Sequence, residues 1–225
     1  MNEHTVLPRY YPVYLDLMGR RCLVVGGGQV ALRKVEGLLE AGAEVTVIAP
    51  EVAAAMPEEV TVIRRPFHPA DLDGVMLVIA ATNDEQVNWQ VAKEAEDCGI
   101  LVNVVDDPPN CSFILPSVVR RGALCIAIST GGASPTLARR LREQLETEFG
   151  PEYAQLIELM HTLRLAWEPR AKVAGLPGAA RKNAWEQVLN LPLLDWLRNG
   201  DVERAAQAAH AVLNAALENQ AGSDV

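Results

Sequence analysis

Arg21-Cys22-Leu23-Val24-Val25-Gly26-Gly27-Gly28-Gln29-Val30-Ala31 is the stretch that decides the fold. An apolar run stops at three glycines, and from Gln29 to Ala41 the residues Val30, Leu38 and Leu39 fall at helical spacing. The stretch therefore reads as strand, tight turn and helix. In that setting Gly26-x-Gly28-x-x-Ala31 matches the phosphate loop of a dinucleotide-binding domain. Gly26 allows the turn, Gly28 lets the backbone approach a pyrophosphate, and Ala31 permits close packing of helix on strand. The helix N-terminus adds free N–H groups and a partial positive charge. A glycine turn without a ligand is the plainer alternative.

Working outward, the alternation of strand and helix continues. Glu44–Ile48, Val60–Ile63 and Val75–Ala80 read as strands, Asp84–Cys98 as a helix, and Ile100–Val105 and Leu124–Ile128 as further strands. Strands that are apolar throughout suit a parallel sheet covered on both faces, so the fold class is α/β, a Rossmann-type doubly wound parallel sheet. The turn-rich Asp107-Pro108-Pro109-Asn110 ends this part. Beyond it Phe113–Arg121 and Pro135–Phe149 read as helical, the latter opened by Ser134 as N-cap and Pro135 at the first helical position. From Pro151 on only helix signals follow, broken at Gly175-Leu176-Pro177-Gly178 and near Asn199-Gly200. Trp167, Trp185 and Trp196 in these segments read as core.

With 225 residues, 49% of them apolar, the chain can bury a core in one full domain plus a smaller one, or in two modest ones. No apolar run approaches the roughly 20 residues a bilayer span needs, and residues 1–11 lack the apolar stretch of a secretory signal. The chain is accordingly placed in the cytoplasm, with no membrane partner. The four cysteines and four histidines are scattered without a CxxC pair, so no metal site is expected, and Cys22 and Cys125 read as small buried hydrophobes. A net charge of −9 argues against nucleic acid as a partner. Yet from Pro108 to Arg142 there is no acidic residue, while Arg120, Arg121, Arg139, Arg140 and Arg142 all lie there. That window is either a surface for an anionic ligand or ordinary helix-surface arginine.

The acidic residue for the ribose hydroxyl belongs about 20 residues after the glycines, at the end of the second strand. Ala49 and Pro50 stand there with Glu51 just after, and no Arg stands at that point to welcome an extra phosphate, which favours NAD over NADP; Arg64 and Arg65 after the third strand pull the other way. In a doubly wound sheet ligands lie beyond the carboxyl ends of strands. Thr82 and Asn83 end one strand, and Asn103, Val104, Val105 and Asp106 another, so these residues can meet a nicotinamide or a substrate. Asp106 is the candidate general base, unless Asp106 and Asp107 only open the turn before Pro108. Ser129-Thr130-Gly131-Gly132-Ala133-Ser134-Pro135 is a second glycine loop, able either to hold an anion on backbone N–H groups or to cap a helix.

Five ordered stretches then carry a resemblance. They are Gly26 to Lys34, Ala80 to Asp84, Asn103 to Asp106, Phe113 to Ser117, and Ser129 to Arg139. Together they resemble the precorrin-2 dehydrogenases of sirohaem biosynthesis, including the dehydrogenase/ferrochelatase half of the multifunctional sirohaem synthases, over residues 10 to 150. The resemblance implies NAD-dependent oxidation of the tetrapyrrole precorrin-2 to sirohydrochlorin and, in some members, insertion of ferrous iron to give sirohaem. It implies a homodimer, and with it three parts: an NAD-binding Rossmann domain at 1–113, a dimerisation segment at 114–150 and a small all-helical domain at 151–225. The aspartate aligning with Asp106 is the residue held to matter for catalysis in that family. Gly26, Gly27, Gly28, Gln29, Val30, Ala31, Pro50, Glu51, Thr82, Asn83, Asn103 and Val104 become cofactor-binding candidates. Because precorrin-2 is rich in carboxylates, Arg120, Arg121, Ser129, Thr130, Ser134 and Arg139, with Arg140, become substrate-binding candidates. Thr130 stands where the resembled synthases carry a serine that can be phosphorylated. No methyltransferase domain follows the helical part, so the chain is not expected to make precorrin-2 itself.

Two other readings compete. A non-enzymatic NAD sensor explains the glycine loop equally well but leaves Asn103–Asp106 and Ser129–Pro135 without a task. A dehydrogenase of a small metabolite calls for a clearer His or Lys acid-base group than the scattered histidines provide.

Overall fold

The computed structural model of the chain describes residues 8–221; His4 and the start of the 1–11 stretch lie outside the described residues. The first compact unit comprises residues up to Leu115 together with Gly131–Ala133. Its strands are β1 (Arg21–Val25), β2 (Glu44–Ile48), β3 (Thr61–Ile63), β4 (Leu77–Ala80) and β5 (Leu101–Val104). All pair in parallel in the order β3-β2-β1-β4-β5, the doubly wound arrangement that reverses direction at β1. Helices α1 (Gln29–Glu40) and α2 (Glu85–Asp97) supply crossovers.

Alternate strand residues explain why the runs are apolar throughout. Val24, Val45, Val47 and Ile79 pack with Ala31, Val35 and Leu38 of α1. Leu23, Val25, Ile48, Val78 and Val102 pack with Val91, Ala92 and Ala95 of α2. Each face of the sheet thus has its own helix layer, and a polar residue in the middle of a strand would be buried on either side. Cys22 is buried in the first layer, and that burial pushes its thiol up to about 11, so it serves as a small hydrophobe.

The second unit comprises Pro116–Thr130 and Ser134–Val225. It opens with a hairpin, β6 (Ser117–Arg121) and β7 (Leu124–Ile128), paired antiparallel from Ser117↔Ile128 to Arg121↔Leu124. This corrects two expectations. Phe113–Arg121 is not a helix, and Leu124–Ile128 is not part of the parallel sheet. A parallel strand needs a long crossover, whereas only Gly122-Ala123 separates these runs, and Gly122 takes φ +57 to make the reversal.

After the hairpin come α3 (Pro135–Glu148), α4 (Glu152–Val173), α5 (Gly178–Leu189), α6 (Leu193–Arg198) and α7 (Val202–Ala221). The break at Asn190-Leu191-Pro192 between α5 and α6 was not expected from the sequence. Trp167, 2% exposed, is the centre of the helical core beside Leu163, Val188, Leu197 and Leu213, and its indole donates to the Leu213 carbonyl at 2.7 Å. Trp185 meets it edge-on and donates to Glu168, and Trp196 packs on the same cluster.

Candidate functional site

The carboxyl end of the parallel sheet gathers the glycine loop, the end of β4 and the loop after β5. Gly26 turns at φ +121, and a Cβ there would run into the Ala81 backbone; its N–H donates to Ile48 O at 2.9 Å. Gly27 has a different task that the sequence alone does not reveal. A Cβ on it would collide with the backbone of Glu51 and Val52, and its carbonyl accepts from Ala53 N at 2.7 Å, so the chain after β2 closes over it. Gly28 is the opposite case: a Cβ there would meet nothing within 4 Å.

That open space adjoins a bare helix end. Gly28 is the N-cap of α1 and offers no side-chain acceptor, and the first helical bond is Leu32 N to Gly28 O at 3.0 Å. The N–H groups of Gln29, Val30 and Ala31 therefore stand outside the helical ladder. Gln29 and Val30 are exposed at the rim, and Ala31 is fully buried where helix meets strand. No acidic side chain occupies the first turn. Free donors, a helix dipole and a cradle left open by a missing Cβ fit a pyrophosphate. α2 shows the alternative, since its N-cap Asp84 accepts from Gln86 N at 2.9 Å and Val87 N at 3.3 Å.

Pro50 and Glu51 are exposed at the end of β2, within reach of the glycine loop through the Gly27 contact. Arg65 is not available to recognise an extra phosphate, because its guanidinium is bound to both carboxylate oxygens of Asp71, one of them at 2.8 Å. That bond holds the Asp71 carboxyl below its ordinary range.

Thr82 is braced. Asn88 Oδ1 accepts from Thr82 Oγ1 at 2.8 Å and from Thr82 N at 3.2 Å, while Asn88 Nδ2 donates to Thr82 O at 3.0 Å. Asn88, 9% exposed, was missed from sequence; a polar residue on the inner face of α2 was the available signal. Asn83 beside it is exposed. Asn103 is 8% exposed, and its Nδ2 donates to Phe113 O at 3.0 Å, so it anchors the loop that follows β5. Val104 is buried and joins that brace through its backbone, with its N–H directed to Cys111 Sγ at 3.1 Å. Burial raises the Cys111 thiol.

Asp106 projects from this anchored loop. It is the non-glycine residue with positive φ among the described residues, at +59, a conformation that costs roughly 1 kcal/mol and that Asp tolerates better than most. Its side chain is exposed, and among the described residues no hydrogen-bond donor occupies the carboxylate. Its neighbour Asp107 instead accepts from Asn110 Nδ2 at 2.7 Å.

The second glycine loop is organised differently. Ser134 Oγ accepts from Leu137 N at 3.1 Å, and Thr130 Oγ1 accepts from Ser134 N at 3.1 Å, so both hydroxyls close the start of α3. Ser129 and Arg120 are exposed. Arg121 is engaged by backbone, donating to Phe149 O at 2.8 Å, Glu146 O at 3.0 Å and Arg120 O at 2.9 Å. Arg139 pairs with Glu143 at 2.9 Å on the surface of α3, and Arg142 is bound to Glu146. The acidic partners lie just past the acid-free window, one helical turn along.

Among the described residues, no group of three His, Cys, Asp or Glu side chains is arranged to hold a metal ion, and no helix is long and apolar enough to cross a membrane.

Comparison with known proteins agrees with this geometry. Residues 13–117 match a family described as putative NAD(P)-binding, and residues 121–148 match the central part of sirohaem biosynthesis proteins. A sirohaem synthase of Sodalis glossinidius is 41% identical over 219 residues, covering 93% of this chain and 45% of that protein. One of Chromobacterium violaceum is 42% identical over 204 residues, covering 88% of this chain and 42% of its own length. The chain thus spans about half the length of those synthases. Among solved structures, SirC, a precorrin-2 dehydrogenase, superposes with a TM-score of 0.71 at 30% identity, over 90% of this chain and 100% of that one.

Proposed function

Since the chain belongs to the precorrin-2 dehydrogenase family, we propose that it oxidises precorrin-2 to sirohydrochlorin with NAD as acceptor, in the biosynthesis of sirohaem. The observation that carries this reading is the bare N-terminus of α1 beside Gly28, at the same sheet end as an unoccupied carboxylate on Asp106. Bound at that helix end, NAD supplies the hydride acceptor. The N–H groups of Gln29, Val30 and Ala31 hold its pyrophosphate, and Glu51 is the acceptor for a ribose hydroxyl. Thr82, Asn83, Asn103 and Val104 shape the nicotinamide end, chiefly through the backbone that Asn88 and Phe113 brace. Asp106 takes the proton that leaves the tetrapyrrole as its hydride departs. Asp106 sits exposed at φ +59 in a loop that the Asn103 bond to Phe113 anchors.

The finer reading includes a homodimer formed through residues 114–150, lying between a Rossmann domain at 1–113 and a helical domain at 151–225, and a cytoplasmic location. Ferrous iron is a second substrate for those members that make sirohaem, and there the macrocycle's own nitrogens are the metal ligands. Arg120, Arg121, Ser129, Thr130, Ser134 and Arg140 are the candidates for the tetrapyrrole carboxylates, and of these Arg121, Thr130 and Ser134 would have to act from places where they also hold β6 and α3. Arg139 meets the substrate only by exchanging Glu143 for it.

The test is anaerobic incubation with precorrin-2 and NAD, followed by the sirohydrochlorin spectrum, then a second run with ferrous ion. NAD-dependent sirohydrochlorin formation is the expected result. Bound NAD with no reaction would favour the sensor reading instead.

A further inference from the structure

β5 is an outermost strand of the parallel sheet, so its outward N–H groups have no neighbouring strand to pair with. The chain returns along that edge instead. Ser112 Oγ accepts from Val102 N at 2.8 Å, and Ser112 N donates to Val102 O at 2.9 Å. Two residues further along the strand the partner is a thiol: Cys111 Sγ accepts from Val104 N at 3.1 Å, and Asn103 Nδ2 is also directed to it, at 3.6 Å. Between the strand and this returning segment the chain makes the excursion that carries Asp106.

The same sulfur reaches the far side of that excursion. Sγ stands 3.3 Å from Val104 O and 3.3 Å from Asp107 O, and its single proton serves one of these carbonyls at a time. Val104 comes two residues before Asp106 and Asp107 directly after it, so one side chain ties the two ends of the turn. The backbone adds Val105 N to Ala80 O at 3.0 Å, Asp107 N to Val104 O at 3.3 Å and Cys111 N to Pro108 O at 3.1 Å. A non-glycine residue at φ +59 keeps that conformation only while its surroundings hold it in place. Burial raises the half-buried Cys111 thiol against the opposing Val104 N–H, so at neutral pH it keeps the proton that it donates.

We propose that Cys111 is a positioning residue for Asp106, its thiol clasping Val104 to Asp107 so that the left-handed turn keeps the conformation from which the carboxylate works. The catalytic half of the proposal rests on the reading of Asp106 as the base; the clasp itself is tested without it.

In the first arm, amide hydrogen exchange is followed by NMR on the full chain without substrate or cofactor. Cys111→Ala speeds exchange of the Val104 amide about tenfold, the loss of one hydrogen bond, while the Val102 amide, held by Ser112, stays at the wild-type rate. Cys111→Ser, whose hydroxyl also accepts and donates, keeps most of the protection. An unchanged Val104 amide, or both amides speeding together, would mean that Cys111 only packs and would overturn the clasp. In the second arm, precorrin-2 oxidation is measured anaerobically. Cys111→Ala lowers kcat by about tenfold and leaves the KM for NAD at the wild-type value, and Cys111→Ser restores kcat to within a few-fold. A wild-type kcat in Cys111→Ala, or a KM for NAD that rises as kcat falls, would overturn the positioning role. Wild-type chain that does not oxidise precorrin-2 would overturn the function reading and the catalytic half of the proposal with it, while the exchange arm still decides the clasp.

Discussion

The loops Gly26–Ala31 and Ser129–Pro135 are both glycine turns between a strand and a helix, and from sequence either can hold an anion. Their helix ends separate them. At α1 the N-cap is Gly28, with no acceptor of its own and open space where a Cβ would stand. At α3 the Ser134 hydroxyl takes the Leu137 N–H and Thr130 holds Ser134 in place. A helix N-terminus binds an anion when nothing in the chain has already satisfied it. The two loops therefore differ in what they leave open: one leaves its helix end free for an anion, and the other closes its own helix.

The largest expected effect separates binding from chemistry within the first region. Asp106→Ala leaves NAD affinity at the wild-type value and lowers turnover by a factor on the order of a hundred or more. Calorimetry and the anaerobic assay check the two halves, and normal turnover would remove Asp106 from the mechanism. Next, Gly28→Asp makes α1 resemble α3. The backbone at Gly28 is extended, φ −81 and ψ −173, so Asp fits there and caps the helix. Stability should rise by a few tenths of a kcal/mol while NAD affinity falls roughly tenfold or more, because a carboxylate occupies the pyrophosphate cradle. Unchanged NAD affinity would show that the cradle is not the site.

Ser134→Ala is the converse change in the second loop. It should cost about 1 kcal/mol of stability, seen in thermal unfolding, and leave NAD affinity alone. The smallest effect concerns cofactor choice. Asp71→Ala frees Arg65 and should tighten NADP binding by roughly a few-fold, narrowing the preference for NAD. The same contact has a pH dependence with a definite sign. Because Arg65 lowers the Asp71 carboxyl, the stabilisation is present at neutral pH and is lost as pH falls through that lowered value.

Legibility from sequence followed the same physical division. The β1-glycine-α1 unit was readable because a run buried on both faces, a turn that only glycine tolerates, and a helical period are each local signals. The hairpin was not, since Phe113, Ile114, Leu115, Val118 and Val119 also suit a helix; the Gly122 turn between two β-rich runs was the overlooked signal. At the site, type and position singled out Gly26, Gly28 and Asp106, which the structure places at a positive-φ turn, an open N-cap and a left-handed loop position. The roles of Gly27 and Asn88 were not readable, because each depends on a residue outside its own element: Glu51 and Val52 for the first, Thr82 for the second. In the arginine window the pairing of Arg139 and Arg142 was not readable for a related reason, as Glu143 and Glu146 lie just outside it and pair back into it.

The measurement that bears most directly on the central claim is a single anaerobic turnover of precorrin-2 with NAD, recording NADH and sirohydrochlorin in the same trace. The account expects the two products in equal amounts and at the same rate, with Gly28→Asp abolishing both at limiting NAD. Sirohydrochlorin appearing without NADH, or bound NAD with neither product, would contradict it.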